Sequence, residues 1–398
     1  KKNIYLIHIF LILLVCKAFE KMKTLQKLYF LICLTFLFGT QQTLFAEDNS
    51  HAIDTTASEQ HAKHEEKFKP GPFIINHILD DHFWHIGKAG DLHLSLPLPV
   101  IIYSRGTRNP GLHVFMSSNF HHGHDAYKGF KLIVEEGSKY KGKIVEVDES
   151  GNIDESVSQP LDFSITKNVL ELFISVFVLC WLFISVAKTY KRREGKAPQG
   201  MQSVVEPLII FIRDDVAKAS IGHRYEKYVP YLLTIFFFIF FNNLLGLIPI
   251  FPGGANLTGN IAITMTLALF TFVITTFSSN KGYWVHIINA PGVPWWLKFP
   301  LPLMPIVELM GVITKPVVLM IRLFANITAG HIIALGFFSL IFIFGAMNMW
   351  AGYGFSVVSV AFTVFMTLLE LLVAFIQAYV FTLLSALYFG MARVEEHH

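Results

Sequence analysis

Between Pro302 and Arg393 the sequence is apolar almost without interruption, yet it holds Glu308, Lys315, Arg322, Asn326, His331, Glu370 and Gln377. A run this long and this apolar folds as helices that cross a bilayer, because only a helix satisfies its own backbone in lipid. The stretch "NMWAGYG" (348–354) breaks it in two and predicts helices over 303–347 and 355–393. At ~1.5 Å per residue each exceeds the ~30 Å hydrocarbon core, so each must tilt steeply or protrude. The whole chain agrees, with 53% hydrophobic residues, 38 Phe and only 15% charged residues. A net charge of +3, with no basic run interleaved with aromatics, argues against a nucleic-acid partner. Cys16, Cys33 and Cys180 lie in apolar stretches without metal-like or disulfide-like spacing. Neither a cofactor nor a metal is expected.

The chain divides into three parts. Residues 1–46 are read as an upstream segment and a signal peptide. Met22 is the first methionine and is taken as the start, followed by Lys23 and Lys27, an apolar run over 28–38, and cleavage after Ala46. Residues 47–160 are polar and rich in Gly and His, with alternating runs such as "LHLSLPLPVIIY", which predict an exported domain of short strands. The eleven histidines from His51 to His124 match no defined metal spacing and are read as solvated loop residues. Residues 161–398 form the membrane part.

Its first span, 168–187, is followed by "KTYKRREGK", which fixes the next loop as cytoplasmic by the positive-inside rule and the preceding domain as outside. Residues 203–221 carry an apolar stripe opposite Arg213, Asp214 and Lys218, and are predicted to lie in the cytoplasmic interface. Further spans follow at 229–251 and 259–278, the first expected to hold Asn242 and Asn243 as helix caps or glue. The expected fold is therefore an all-α membrane protein of five transmembrane helices plus a cytoplasmic interfacial helix. Its last two helices make a long, tilted antiparallel hairpin, its N-terminus lies outside and its C-terminus is cytoplasmic.

Charged groups in spans are rare and face a protein interior or a water-filled cavity. If the hairpin turns near residues 350–352, His331 comes level with Glu370, and Arg322 comes level with Gln377, each within one helical turn. At about 100° per residue Arg322 and His331 lie on opposite sides of their helix, whereas Glu370 and Gln377 share a face. Either His331 points into the hairpin and Arg322 out of it, which is the preferred reading, or the helices cross so that both only graze Glu370 and Gln377. A guanidinium cannot shed its charge and calls for a carboxylate, which a second subunit would supply. His331 and Glu370 together can exchange a proton near neutral pH, as a relay requires.

The segments "KPVVLMIRLFANITAGHIIAL", "LLELLVAFIQAYVFTLLSALY", "FNNLLGLIPI" and "NLTGNIAIT" closely resemble the a subunit of rotary F-type ATP synthases over roughly 165–393. The resemblance implies a stator in a bacterial inner membrane, surrounded by lipid and packed against a ring of c subunits that each carry one carboxylate. The b-subunit peripheral stalk and the remainder of the synthase are the other implied partners. The chain would not be an enzyme by itself. Arg322 matches the family's essential arginine, Asn326 the asparagine one turn on, Gln377 the glutamine facing that arginine, and Glu308 the acidic residue on the cytoplasmic side. His331 and Glu370 depart from it, since many members have a carboxylate at the first position and an imidazole at the second. Two proton half-channels would follow, one near His331 and Glu370 and one near Glu308, with Arg322 as the electrostatic gate between them. The rival readings are a secondary transporter or channel for an anionic substrate, and a scaffold whose polar residues only join helices; the first lacks the repeated halves common in that class.

Overall fold

The computed structural model of the protein describes residues 70–392, apart from 90–91, 107–108, 136–137, 149–150, 155–156, 249–252 and 289–302. The upstream segment and signal peptide expected over 1–46 lie outside the described residues.

The described N-terminal part opens with helix α1 (Pro70–Ile78). Seven strands follow: β1 (Phe83–Ala89), β2 (Leu92–Pro97), β3 (Pro99–Ser104), β4 (Gly111–Met116), β5 (Phe130–Leu132), β6 (Ile144–Glu146) and β7 (Leu161–Asp162). They pair antiparallel as a β1–β2 hairpin, a three-stranded sheet in the order β4-β3-β7, and a β5–β6 ribbon. The alternation in the sequence decides which side is core. Along β3, Val100 and Ile102 turn inward onto Phe115, Phe120, Phe130 and Leu132, while Tyr103 faces out.

A buried ion pair closes the two ends of this domain: His82 Nε2 lies 2.9 Å from Asp162 Oδ2. Burial alone would lower the imidazole pKa, but the hydrogen bond and charge of Asp162 outweigh it and hold His82 above its usual value. Burial would likewise raise Asp162, and His82 outweighs it in the other direction. The stability due to His82 is complete below the ordinary histidine value and is lost as pH rises through the raised one. That due to Asp162 is present above the ordinary carboxylate value and is lost as pH falls through the depressed one. The domain should therefore lose stability on the alkaline side. His82→Ala, which leaves the half-buried Asp162 with only Ser164 as a hydrogen-bond partner among the described residues, should remove that alkaline slope and cost about 3 kcal/mol near pH 6. Hydrogen exchange of the full chain in detergent reads both effects, and an unaltered slope in the variant would contradict the assignment.

The membrane part begins at α2 (Lys167–Arg192). Helix α3 (Met201–Phe211) runs on through a π-helical stretch, Ile212–Lys218, into Ala219–Ile221. Then come α4 (Val229–Leu247), α5 (Ile261–Ser278), the short α6 (Lys281–Ile288), α7 (Leu303–Met347) and α8 (Met349–Met391). Five of these, α2, α4, α5, α7 and α8, are long and apolar enough to cross a membrane. Helix α8 starts at Met349 rather than at 355, because the Asn348 side chain accepts a hydrogen bond from the Trp350 amide and caps the new helix at once.

Helix α4 is the centre of the core. Its Leu232, Ile235, Phe236 and Ile239 belong to one buried cluster with Leu319 and Leu323 of α7 and with Ala378, Phe381 and Phe389 of α8. Val205, Ile209, Ile212 and Val216 join the same cluster, so the stripe predicted to lie on the membrane surface is largely covered by protein, with Val204 and Ile210 left open. The π-helical turn adds residues to the helical repeat and keeps Ile212, Val216 and Ala217 facing inward past Arg213 and Asp214. Where this segment ends, Gly390 of α8 lies so close to the Ser220 carbonyl that any Cβ would overlap it.

The hairpin of α7 and α8 is locked in register by two ring stacks, Phe344 on Phe355 and Phe337 on Phe362, both at 3.7 Å between centres. Near its turn, a Cβ on Gly352 would lie 2.7 Å from the Gly345 Cα, so the two backbones approach as only glycine allows.

Candidate functional site

That register brings His331 of α7 against Glu370 of α8, with His331 Nδ1 3.8 Å from Glu370 Oε1. The side chains are 20% and 13% exposed. Gly330 makes the room: a Cβ there would stand 2.6 Å from Glu370 Oε1. At this separation the pair is within ion-pair range but is not a direct hydrogen bond, and one water or a small side-chain turn closes the gap. Glu370 Oε1 has no hydrogen-bond partner among the described residues.

The far side of His331 is closed by α4. A Cβ on Gly246 would lie 3.9 Å from His331 Nε2 and 3.4 Å from the Ala255 carbonyl. The connection from α4 to α5 is therefore more than a surface loop: Ala255, Asn256, Leu257 and Thr258 are all buried. Thr258 Oγ1 donates to Asn243 Oδ1 at 2.7 Å, and Asn243 Nδ2 donates to the Ala374 carbonyl at 3.2 Å, one turn of α8 beyond Glu370. Asn243 thus joins α4, the connection and α8, as a gluing residue would. Asn242 donates to the Phe238 carbonyl of its own helix at 2.7 Å. Sequence reasoning missed Gly246, Gly330 and Thr258. The available signal was a concentration of small and amide residues, "NNLLG" and "ANLTGN", inside apolar surroundings.

Arg322 stands on the exposed face of α7 together with Asn326, Val318 and Ile321. Leu319 and Leu323, on the adjoining stripe, are buried. Among the described residues no carboxylate pairs with Arg322. Gln377, level with it in the register, is buried on the packed side of α8, and no hydrogen bond joins the two. Toward the open end of the hairpin, a small cleft is lined by Thr271, Thr275, Tyr283, Lys315 and Tyr388. Lys315 Nζ sits 5.6 Å from the Tyr388 ring centre. Burial, and then the charge of Glu308, hold the Tyr283 hydroxyl of this lining above its usual pKa, and Glu308 lies two turns before Lys315 on α7. The polar groups therefore form two sets, one around His331 and Glu370 and one around Glu308 and the cleft, with Arg322 at a level between them. No three His, Cys, Asp or Glu side chains among the described residues could hold a metal ion.

Cysteines at 331 and 370 should crosslink far more readily than cysteines at 331 and 362, since Phe362 is engaged with Phe337, more than a turn away. Equal yields, read as a gel shift after mild oxidation, would contradict the register.

Fold and site together define a multi-pass membrane protein with ionisable groups held within and upon its longest helical hairpin. A family model described as ATP synthase A chain matches residues 169–390, and a second, described as a domain of unknown function, matches 73–163. ATP synthase subunit a of Chloroherpeton thalassium is 45% identical over 243 residues, covering 60% of this chain and 69% of that one. ATP synthase subunit a 2 of Chlorobaculum tepidum is 46% identical over 237 residues (58% and 64%), and subunit a of Myxococcus xanthus 42% over 245 (60% and 76%). The chain belongs to the ATP synthase A chain family. It is a membrane component of the F-type ATP synthase, with a proton-translocating role in the Fo sector, and not a catalytic subunit.

Proposed function

We propose that this chain carries protons past a ring of carboxylate-bearing c subunits through two half-channels separated by Arg322. The observation that carries the reading is the position of Arg322: a permanent charge at mid-span, on an outward face, with no carboxylate paired to it among the described residues. Such a group is costly against lipid and calls for an anionic partner from another subunit. A carboxylate beside it is favoured in its ionised form, and a proton crossing directly is repelled.

Residues 47–160 form an exported domain and 161–398 the translocating part, set in a bacterial inner membrane with the C-terminus cytoplasmic. The helix over 201–221 lies along the cytoplasmic surface, and the chain is anchored to a b-subunit peripheral stalk. Protons enter from outside by way of His331 and Glu370, neutralise a ring carboxylate and let it turn into lipid. After nearly a full rotation they leave through the cleft beside Glu308. Asn326 lies one turn from Arg322 on the same exposed face and orients the meeting carboxylate, while Gln377 supports the hairpin behind it. Proton pumping by the Arg322→Ala complex tests the reading; normal pumping would overturn it.

A further inference from the structure

The first span carries a charged group that this path leaves unused. Glu171 lies one turn inside α2, is 0% exposed, and neither of its carboxylate oxygens has a hydrogen-bond partner among the described residues. Lys167, Asn168 and Ser175 are buried around it, and Asn168 Oδ1 is also unpartnered. An ionised carboxylate sealed in a span without partners is among the least favourable arrangements a helix can hold. The group must therefore carry a proton, share one with water, or alternate between the two.

The direction it faces is set by helical spacing. Asn168, Glu171 and Ser175 continue the stripe of Leu179, Leu182 and Val186, which packs into the cluster centred on α4. Phe183 meets Phe237 at 4.8 Å between ring centres, and as consecutive spans α2 and α4 would cross the membrane in opposite directions. At ~1.5 Å per residue, Ser175 then comes level with the last turn of α4, and Glu171 lies about one turn further out. Beyond this seam Thr258 donates to Asn243 and Asn243 to the Ala374 carbonyl, while Gly246, on the face of α4 opposite Phe237, borders His331.

On its other side Glu171 is covered by the junction with the strand domain. Asp80 Oδ2 accepts from Thr166 Oγ1 at 2.8 Å, and its Oδ1 accepts from the Asn168 amide at 3.1 Å. Lys167 donates from its amide to Asp81 O at 2.9 Å and from Nζ to Leu79 O at 3.3 Å. The charged groups that act on Glu171 are thus Lys167, one turn before it on α2, and Asp80 from the domain. The outer half of α4 offers only the amides Asn242 and Asn243.

We propose that Glu171 is a further proton-carrying residue, taking protons from water at the junction between the strand domain and α2 and passing them along the α2–α4 seam toward His331 and Glu370. It rests on the proton-path reading above and extends that path into a span and a domain the reading did not use. The step is a proton transfer alone: a carboxylate oxygen of Glu171 gains a proton from a water, then gives it to a water in the seam, and no other bond changes.

The test uses the whole synthase in liposomes, with proton conduction driven by a potassium diffusion potential and measured against outer pH. Glu171→Gln keeps the shape and loses the proton-binding oxygen, so conduction should fall by about tenfold or more, most steeply at high pH where protons are scarce. Glu171→Asp should restore it. Lys167→Met removes a nearby positive charge that favours the ionised carboxylate, so the pH midpoint of conduction should move upward. This variant also serves if Glu171→Gln fails to assemble. Wild-type profiles in Glu171→Gln, or an unmoved midpoint in Lys167→Met, with conduction still blocked in Arg322→Ala, would overturn the proposal and leave the proton-path reading standing. Unimpaired conduction in Arg322→Ala would overturn both.

Discussion

Arg322→Ala is expected to abolish ATP-driven proton pumping while the complex still assembles. The two halves of this result have separate causes. Arg322 lies on the open face of α7, and the adjacent Leu319 and Leu323 do the packing, so truncating it removes no buried contact and leaves the hairpin intact. Its removal leaves a meeting carboxylate without the charge that holds it ionised. At about 4 Å and an effective dielectric near 20, that attraction is worth roughly 4 kcal/mol, or about three orders of magnitude in the ionised population. Arg322→Lys keeps the charge and loses the flat, two-pronged donor geometry, so it should retain only a fraction of the activity. Dye quenching in inverted vesicles reads pumping, and the amount of complex recovered in mild detergent reads assembly. Since the driving force is only ~2.3 kcal/mol per charge per 100 mV, any direct leak past this point would also dissipate the gradient and be visible as faster decay.

The second large effect is expected at Glu370. Glu370→Ala should lower pumping by about a hundredfold, the order attributed to a positioned proton-transferring group. Truncation alone does not separate a relay from a structural pair, so the informative variant is an exchange. His331→Glu combined with Glu370→His puts each group on the other helix at the same separation, because the register and the glycine at 330 hold both positions in place. The double variant should recover most of the pumping lost by either single one. Recovery of assembly without recovery of pumping would mean that the pair only joins helices.

Much of the membrane part was legible because lipid leaves so few choices. Length and apolarity alone specified five spanning helices, and counting back from the turn placed His331 beside Glu370, at 3.8 Å. The same count put Arg322 level with Gln377 and left two arrangements, of which the preferred one, with Arg322 turned outward, agrees with its exposed face, while Gln377 lies on a packed one. The break at 348–354 looked long because "AGYG" reads as turn chemistry, yet one asparagine cap lets α8 absorb those residues. The burial of the α4–α5 connection was invisible, since a loop of Gly, Asn and Thr reads as solvated until its partners are known. The same limit hid Glu171, a single carboxylate near the mouth of a span, whose isolation appears only once its neighbours are in place.

One consequence concerns how the molecule is made. The amino end of α2 receives no capping bond from its own Thr166 side chain; Asp80, far upstream, supplies it. A missing helix cap costs about 1 kcal/mol or more, so the first crossing is finished only when the residues translated well before it have folded over its end. The strand domain and the span are therefore not interchangeable modules. A graft that replaced one would leave the other with a frayed terminus, and shared ancestry in the membrane half need not extend to chains that begin differently.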